Sequence, residues 1–286
     1  MSQVPPRVKK IGILVAILAL FAGGFFFPVK MPHVQLPAEP VAHIGGFTVT
    51  NTMTAAWGTI IVLSLLFYFA TRKMGDVPGG LQNFAEVVIE ALSGLCEAAA
   101  GHDRGRRFFP LVTTFFLFIL VSNWMGLLPG YGTIGIWETV EVEGHKENVL
   151  MAFFRSANTD LNTTLGLAII SVVATQIYGI RAVGFKGYAG RFINLKGPID
   201  FFVGVLELVS EVAKMISFSF RLFGNIFAGE VLLGVMSFLI PWVILIPFMG
   251  LELFVGVIQA FIFMMLTLVF LTVATAEHGA EHGESH

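Results

Sequence analysis

The sequence predicts an all-α integral membrane protein with five to six membrane helices, one inner amphipathic helix, and two long tilted C-terminal helices forming a hairpin. Of 286 residues, 56% are hydrophobic, 29 are phenylalanine and only 13% are charged, whereas soluble domains carry about 25% charged residues. Several apolar runs reach the roughly 20 residues that a helix needs to cross a bilayer core. Basic and acidic connecting segments alternate along the chain, which is typical of a multi-pass protein.

Several function classes are disfavoured by composition. The net charge of −2 suggests no nucleic-acid partner, and no GxxxxGK[ST] motif predicts a nucleotide site. Cys96 is the one cysteine, so an intrachain disulfide and a cysteine-based metal site are excluded. We therefore expect neither a cofactor nor a metal, and a packing role for Cys96. Metal binding by the tail histidines is conceivable, but their glycine neighbours favour a solvated tail: His278, His282 and His286.

The N-terminal region is the most ambiguous part of the sequence. Basic residues precede an apolar run at 11–27, so 1–27 is a signal peptide or an N-terminal membrane anchor, and the lack of a clear small-residue cleavage site favours the anchor. Residues 28–52 contain four prolines and are predicted to form an outer loop. Residues 53–277 form the membrane domain, and 278–286 form an inner polar tail.

Five further apolar segments predict the spans, and the charges between them predict their orientation. Because lysine and arginine favour the cytoplasmic side, the N-terminus, 71–107, 181–198 and the C-terminus are placed inside, while 28–52 and the acidic segment 129–158 are placed outside. Apolar residues at helical spacing within 81–99 predict an amphipathic helix along the inner surface. The predicted spans are 54–70, 108–128, 161–180, 199–240 and 243–275.

The segment 199–240 is too long for an upright span. A helix of that length would run about 60 Å, against a hydrocarbon core of about 30 Å. It is therefore steeply tilted, bent or partly outside the membrane. The alternative is two pieces broken near Gly224.

This long segment carries a stripe of polar residues. At 100° per residue, five of them fall within a sector of about 80°, with Ser210 and Ser217 on its flank. Glu230 lies about 180° from Arg221, so it occupies the opposite face. The stripe consists of Glu207, Glu211, Lys214, Arg221 and Asn225.

The predicted hairpin brings two polar levels together. Pro241 and Pro247 mark its turn, whose centre lies near residue 240 or 241, so residues equally far from that point share a depth. Arg221 then lies level with Gln259, and Glu230 level with Glu252. A charge at mid-membrane costs at least about 2.5–3.5 kcal/mol, so such groups are usually functional.

Structural roles remain open as alternatives for these groups. Arg221 is either functional or one half of a structural ion pair. Glu211 and Lys214 are either part of a path or surface groups that reach the inner interface. Glu230 and Glu252 suggest a proton path, or a structural hydrogen-bonded pair of acids.

Four motifs, covering the chain from about residue 45 to 277, resemble one family closely. They are SNWMGLLPG at 122–130, SANTDLNTTLGLAI at 156–169, RLFGNIFAGE at 221–230 and LELFVGVIQAFIFMMLTLVFL at 251–271. The chain resembles the subunit a family of bacterial F-type rotary ATP synthases, whose members are static proton-channel subunits.

The resemblance implies a role for each matching position. Arg221 faces the ion-binding carboxylates of the rotating ring of c subunits, and Glu230 and Glu252 relay protons in the outer half-channel. Many bacterial members carry histidine at the position of Glu252, so a histidine-based relay is in doubt here. Among the other positions, Gln259 and Asn225 lie near the arginine, Asn123 lies at the outer channel, and the inner half-channel contains Glu207, Ser210 and Lys214.

The resemblance also implies a setting. The expected partners are the c-subunit ring, the peripheral stalk subunit b, the rest of the ATP synthase complex and membrane lipid. The expected location is the bacterial inner membrane, with a cytoplasmic C-terminus and no enzymatic activity by the chain alone. Two alternatives stay open: a secondary transporter that binds an anion at Arg221, and a structural membrane scaffold. The sequence leaves open whether protons or sodium ions are coupled.

Overall fold

The structure, a computed structural model, describes residues 37–142, 145–192, 197–239 and 245–276. The predicted anchor or signal peptide at 1–27 and the histidine-containing tail at 278–286 lie outside these residues. Of the predicted outer loop, the part from residue 37 onwards is described.

Helices dominate the described part of the chain. Five of them are long and apolar enough to cross a membrane, so the predicted all-α membrane class is confirmed; the N-terminal segment predicted as a possible sixth span lies outside the described residues. The spanning helices are α1 (Asn51–Thr71), α3 (His102–Gly126), α4 (Leu161–Val183), α6 (Pro198–Leu239) and α7 (Leu245–Ala276), and the two others are α2 (Gly80–Ala100) and α5 (Phe185–Phe192).

Short strands appear where the sequence predicted only loops. Strands β1 (Pro40–Ile44) and β2 (Phe47–Thr50) form one antiparallel hairpin, and β4 (Gly135–Val142) and β5 (His145–Ala152) form another. A fifth strand, β3, covers Pro129–Gly132. The acidic segment was assigned by its charge, but it also contains valine and threonine, which favour strands.

Side-chain caps determine where two of the spans begin. Thr50 accepts a hydrogen bond from the backbone N–H of Met53, so α1 begins at Asn51 rather than at the predicted residue 54. Asp160 accepts one from the N–H of Asn162 and starts α4 directly after a short 3₁₀ turn at Ala157–Thr159. Such caps satisfy donors that the first helical turn leaves unpaired.

The predicted amphipathic helix is confirmed as α2. Its buried face includes Leu92 and Cys96, which pack against Phe108 of α3 and Met264 of α7, while Phe84 on its other face is exposed. Burial raises the pKa of the Cys96 thiol to about 11, as expected of an apolar packing residue. Arg104, Arg106 and Arg107, which lie in the predicted inner segment 71–107, belong to the first turns of α3.

Helix α6 is a single helix of 42 residues, and at 1.5 Å per residue it extends about 63 Å. The alternative of two pieces broken near Gly224 is therefore wrong. A glycine inside a helix costs only about 1 kcal/mol relative to alanine. Leu222 and Ile226, on either side of Gly224 in the sequence, are buried in a core formed with α3, α4 and α7. This packing stabilises the continuous helix.

Successive spans alternate in direction, which gives the bundle two distinct ends. The strand end carries β1–β5, where Thr52 of α1 donates a hydrogen bond to Asp160 before α4. The basic end carries α2, α5 and the first turns of α3, with most of the arginines of the connecting segments. The alternation agrees with the predicted topology, and it fixes which residues lie together at each end.

Candidate functional site

Arg221 lies on the exposed surface of α6. Its Nη2 donates a hydrogen bond to the Ser217 hydroxyl one turn earlier, at 3.5 Å. Among the described residues, no carboxylate forms an ion pair with it. The structural ion-pair alternative for Arg221 therefore finds no acidic partner within the described part of this chain.

An open recess surrounds this arginine. Gln259 on α7 is only 5% exposed and lines the recess together with Arg221, so the predicted common level of these two residues is confirmed. Small residues on the α6 side leave the guanidinium accessible from outside the bundle. The recess is lined by Phe220, Arg221, Gly224, Asn225, Ala228, Val255, Ile258 and Gln259.

A separate cavity of about 150 Å³ lies towards the strand end, and both predicted carboxylates line it. Glu230 reaches it from α6 and Glu252 from α7, so the second predicted level is also confirmed. The carboxylate of Glu252 packs directly over Gly229, where a side chain would collide with it. The missing side chain at Gly229 therefore gives the Glu252 carboxylate its place beside Glu230 in this cavity.

An arginine that sequence reasoning missed also lines this cavity. Arg155 donates from Nε to both carboxylate oxygens of Glu230, at 3.0 and 3.2 Å. Its side chain is 10% exposed, against 40% for Glu230. The available signal was weak: Arg155 and Lys146 are the only two cations of the acidic segment.

Asn123 ties the cavity wall together. It is 5% exposed, accepts a hydrogen bond from Asn158 Nδ2 at 2.7 Å, and donates to the Gly256 carbonyl at 3.5 Å. Three elements thus meet at one amide: α3, the 3₁₀ turn and α7. The neighbouring Trp124 reinforces the contact by donating to the Leu253 carbonyl at 3.2 Å.

Three charged residues of the stripe towards the basic end, Glu207, Glu211 and Lys214, are paired within the chain. Glu207 forms an ion pair with Arg191 of α5, and Lys214 pairs with the buried Glu211 at 2.6 Å. Lys214 also lies 4.8 Å from the ring centre of Phe270, a favourable cation–π distance. Ser210 is exposed on the helix surface.

The arrangement separates two kinds of chemistry along α6. A permanent cation stands in an open recess, and nine residues further on, about 13.5 Å along the axis, carboxylates line a small cavity on another face. Within the described residues, no group of three or more histidine, cysteine, aspartate or glutamate side chains is placed to hold a metal ion. The carboxylates in the cavity can transfer protons, and the cation in the recess can pair with a carboxylate from outside the chain.

Comparison with known proteins places this arrangement in a family. Residues 52–272 match the family model described as ATP synthase A chain. The chain is 33% identical to ATP synthase subunit a of Moorella thermoacetica over 87% of this chain and all of that protein. It is 35% identical to the subunit a of Gloeobacter violaceus, over 81% of this chain and 86% of that protein. It is 34% identical to the subunit a of Syntrophobacter fumaroxidans, over 83% of this chain and 89% of that protein. The chain therefore belongs to the ATP synthase A chain family.

Proposed function

We propose that this chain is the static proton-translocating subunit of a rotary F-type ATP synthase and that it presents two offset half-channels to a ring of c subunits. Membership of the family makes it a component of an ATP synthase complex, and we infer that it contributes no nucleotide site itself. The observation that carries the proposal is the exposed guanidinium of Arg221 in an open recess between α6 and α7.

Electrostatics explains why such a residue needs an external partner. A charge facing hydrocarbon is costly, so membrane arginines face a bundle interior, a water-filled space or an opposite charge. Arg221 is exposed outward, and no described carboxylate of its own chain pairs with it. A carboxylate on a neighbouring ring supplies the missing charge.

The separation of recess and cavity suits a two-channel mechanism. The membrane potential contributes about 2.3 kcal/mol per charge per 100 mV, which a continuous water path would dissipate as a leak. The cavity around Glu230 and Glu252 forms part of one half-channel. The polar residues of α6 towards the basic end, including Glu207, Ser210 and Lys214, line the other half-channel.

Arg221 couples these half-channels through the moving carboxylate. Guanidinium stays protonated at all relevant pH values, so a ring carboxylate beside it is held ionised. That carboxylate releases its proton on one side, passes Arg221, and is reprotonated from the cavity before it turns towards lipid. The fixed cation also repels protons that would otherwise cross directly, while Gln259 and Asn225 hold polar atoms at the same level.

The setting follows from charge and family. The strand end faces outward and the basic end faces the cytoplasm of a bacterial cell, because lysine and arginine favour that side. This orientation places the C-terminus in the cytoplasm. The peripheral stalk subunit b is the expected static partner and the c ring the moving one.

The alternative hypothesis, a secondary transporter, makes a different biochemical prediction. A secondary transporter binds its substrate between its own helices near mid-membrane, whereas Arg221 is exposed outside the bundle. Purification from detergent-solubilised membranes through a tag on this chain separates the two. We expect the ATP synthase subunits, including a small two-helix ring protein, to copurify; isolation of the chain alone as an active anion transporter would contradict the proposal.

A further inference from the structure

Arg155, a largely buried arginine at the strand end, lines the cavity but has no role in the proton path described so far. Arg155 lies just before the 3₁₀ turn, and its Nη1 donates to the Pro37 carbonyl at 3.4 Å while Nε binds both oxygens of Glu230. Two separate contacts thus fix the guanidinium, and Glu230 is held by a fixed cation from another element. One N–H shared by both carboxylate oxygens, on a guanidinium that is itself held in place, restricts the orientation of Glu230 more than a flexible ammonium would.

The charges that line the cavity can be counted. Its charged side chains are Arg155, Glu230 and Glu252, and its other titratable group is Tyr131. Burial raises the pKa of Tyr131, so its hydroxyl stays neutral. With both carboxylates ionised the cavity carries one net negative charge, and a single proton neutralises it.

The cavity also has room for the water that proton transfer needs. At about 30 Å³ per molecule, a volume of about 150 Å³ accommodates several waters. Nη2 of Arg155 is buried and meets no acceptor among the described residues. Since buried donors are normally satisfied, a cavity water is the natural partner for this N–H group.

We propose that Arg155 is the positioning residue of the strand-end half-channel: it holds Glu230 as an ionised proton acceptor beside Glu252, so that the cavity loads one proton at a time. This inference rests on the proposed function. One proton enters at Glu252 and passes to Glu230, whose neutral carboxyl then loses its attraction to Arg155. Glu230 hands the same proton to the ring, and the restored carboxylate returns to the guanidinium.

The test uses the whole ATP synthase in sealed vesicles, with ATP synthesis driven by an acid–base jump and the pH of each side varied separately. For Arg155→Gln we expect a rate about tenfold lower. We also expect the dependence on strand-end pH to move by about one unit to higher pH, since a carboxylate without its cation gives up a proton less readily. The dependence on basic-end pH should not change. A uniformly lower rate with both profiles unmoved would mean a merely structural role and would overturn the inference.

Matched variants keep the result interpretable. Arg106→Gln removes an arginine from an exposed ion pair with Glu97 at the other end, and it should behave as wild type. Arg155→Lys keeps the cation but loses the planar guanidinium that holds both Glu230 oxygens and the Pro37 carbonyl, so it should retain the wild-type profile at a reduced rate. If Arg155→Gln fails to assemble, a wild-type rate in Arg155→Lys overturns the inference. Failure of the unmodified complex to couple protons would count against the proposed function, whereas normal coupling in Arg155→Gln would refute only the positioning role.

Discussion

Two arginines in this chain have opposite environments, and the difference defines their roles. Arg221 is exposed beside an open recess, while Arg155 is 10% exposed and bonded to Glu230. A cation inside an apolar stretch stands out in a sequence, so Arg221 could be found by inspection. Arg155 could not, because it lies in a charged connection and its partner is 75 residues away in the sequence.

Gly229 offers a test of the carboxylate cavity at the scale of one residue. A Cβ at this position would collide with the carboxylate of Glu252. That carboxylate is the end of a flexible side chain and can swing aside, so Gly229→Ala should fold and assemble. The displaced Glu252 should lower coupled proton transport by about tenfold or more, measured as ATP-driven acidification of vesicles.

Gly166→Ala is the matched control for this substitution. No atom lies within 4 Å of a Cβ at this position in α4, so transport should stay at the wild-type level. Wild-type transport in Gly229→Ala would show that the position of Glu252 does not matter for the relay.

At the scale of elements, glycine contacts determine how closely helices approach. Helices α2 and α3 are joined by Gly101 alone, whose φ of 82° lies in the left-handed region that favours glycine. Four residues later, Gly105 of α3 faces the α2 backbone. A Cβ there would lie 2.7 Å from the Cys96 carbonyl oxygen, and backbone cannot move aside as a side chain can.

We therefore expect Gly105→Ala to destabilise the α2–α3 pair by about 1–3 kcal/mol, the usual cost of overpacking. Gly94→Ala on α2 meets no atom within 4 Å and should be neutral or stabilising by up to about 1 kcal/mol through helix propensity. Heating the purified complex and monitoring the loss of this chain from it gives an unfolding midpoint for each variant. Equal midpoints for the two variants would argue against the close approach of α2 and α3.

At the scale of the whole molecule, the sequence predicted what depends on local pattern and length. Apolar runs and helical spacing found the five spans and α2, and counting from the turn matched Glu230 with Glu252. The exact start of α1 depends on the Thr50 cap, which hydropathy does not register. The β4–β5 hairpin depends on pairing between strands, which charge alone does not reveal.

Topology gives a test at the scale of the whole molecule. Val77, between α1 and α2, is 89% exposed, and Ile134, between β3 and β4, is 59% exposed. A cysteine introduced at either position should react with a membrane-impermeant maleimide, but from opposite sides of the membrane. Ile134→Cys should react from outside, and Val77→Cys should react only in inverted vesicles. The native Cys96 is fully buried and, with a pKa of about 11, should stay unlabelled. The reverse sidedness would contradict the proposed orientation.

The most direct measurement of the central claim is ATP synthesis by vesicles that carry Arg221→Ala in the assembled complex, after an acid–base jump. We expect no synthesis, because nothing then holds the ring carboxylate ionised or separates the two half-channels. Arg221→Lys should also fail, since lysine lacks the planar fork and can lose its proton. Synthesis at the wild-type rate by the Arg221→Ala complex would contradict the account.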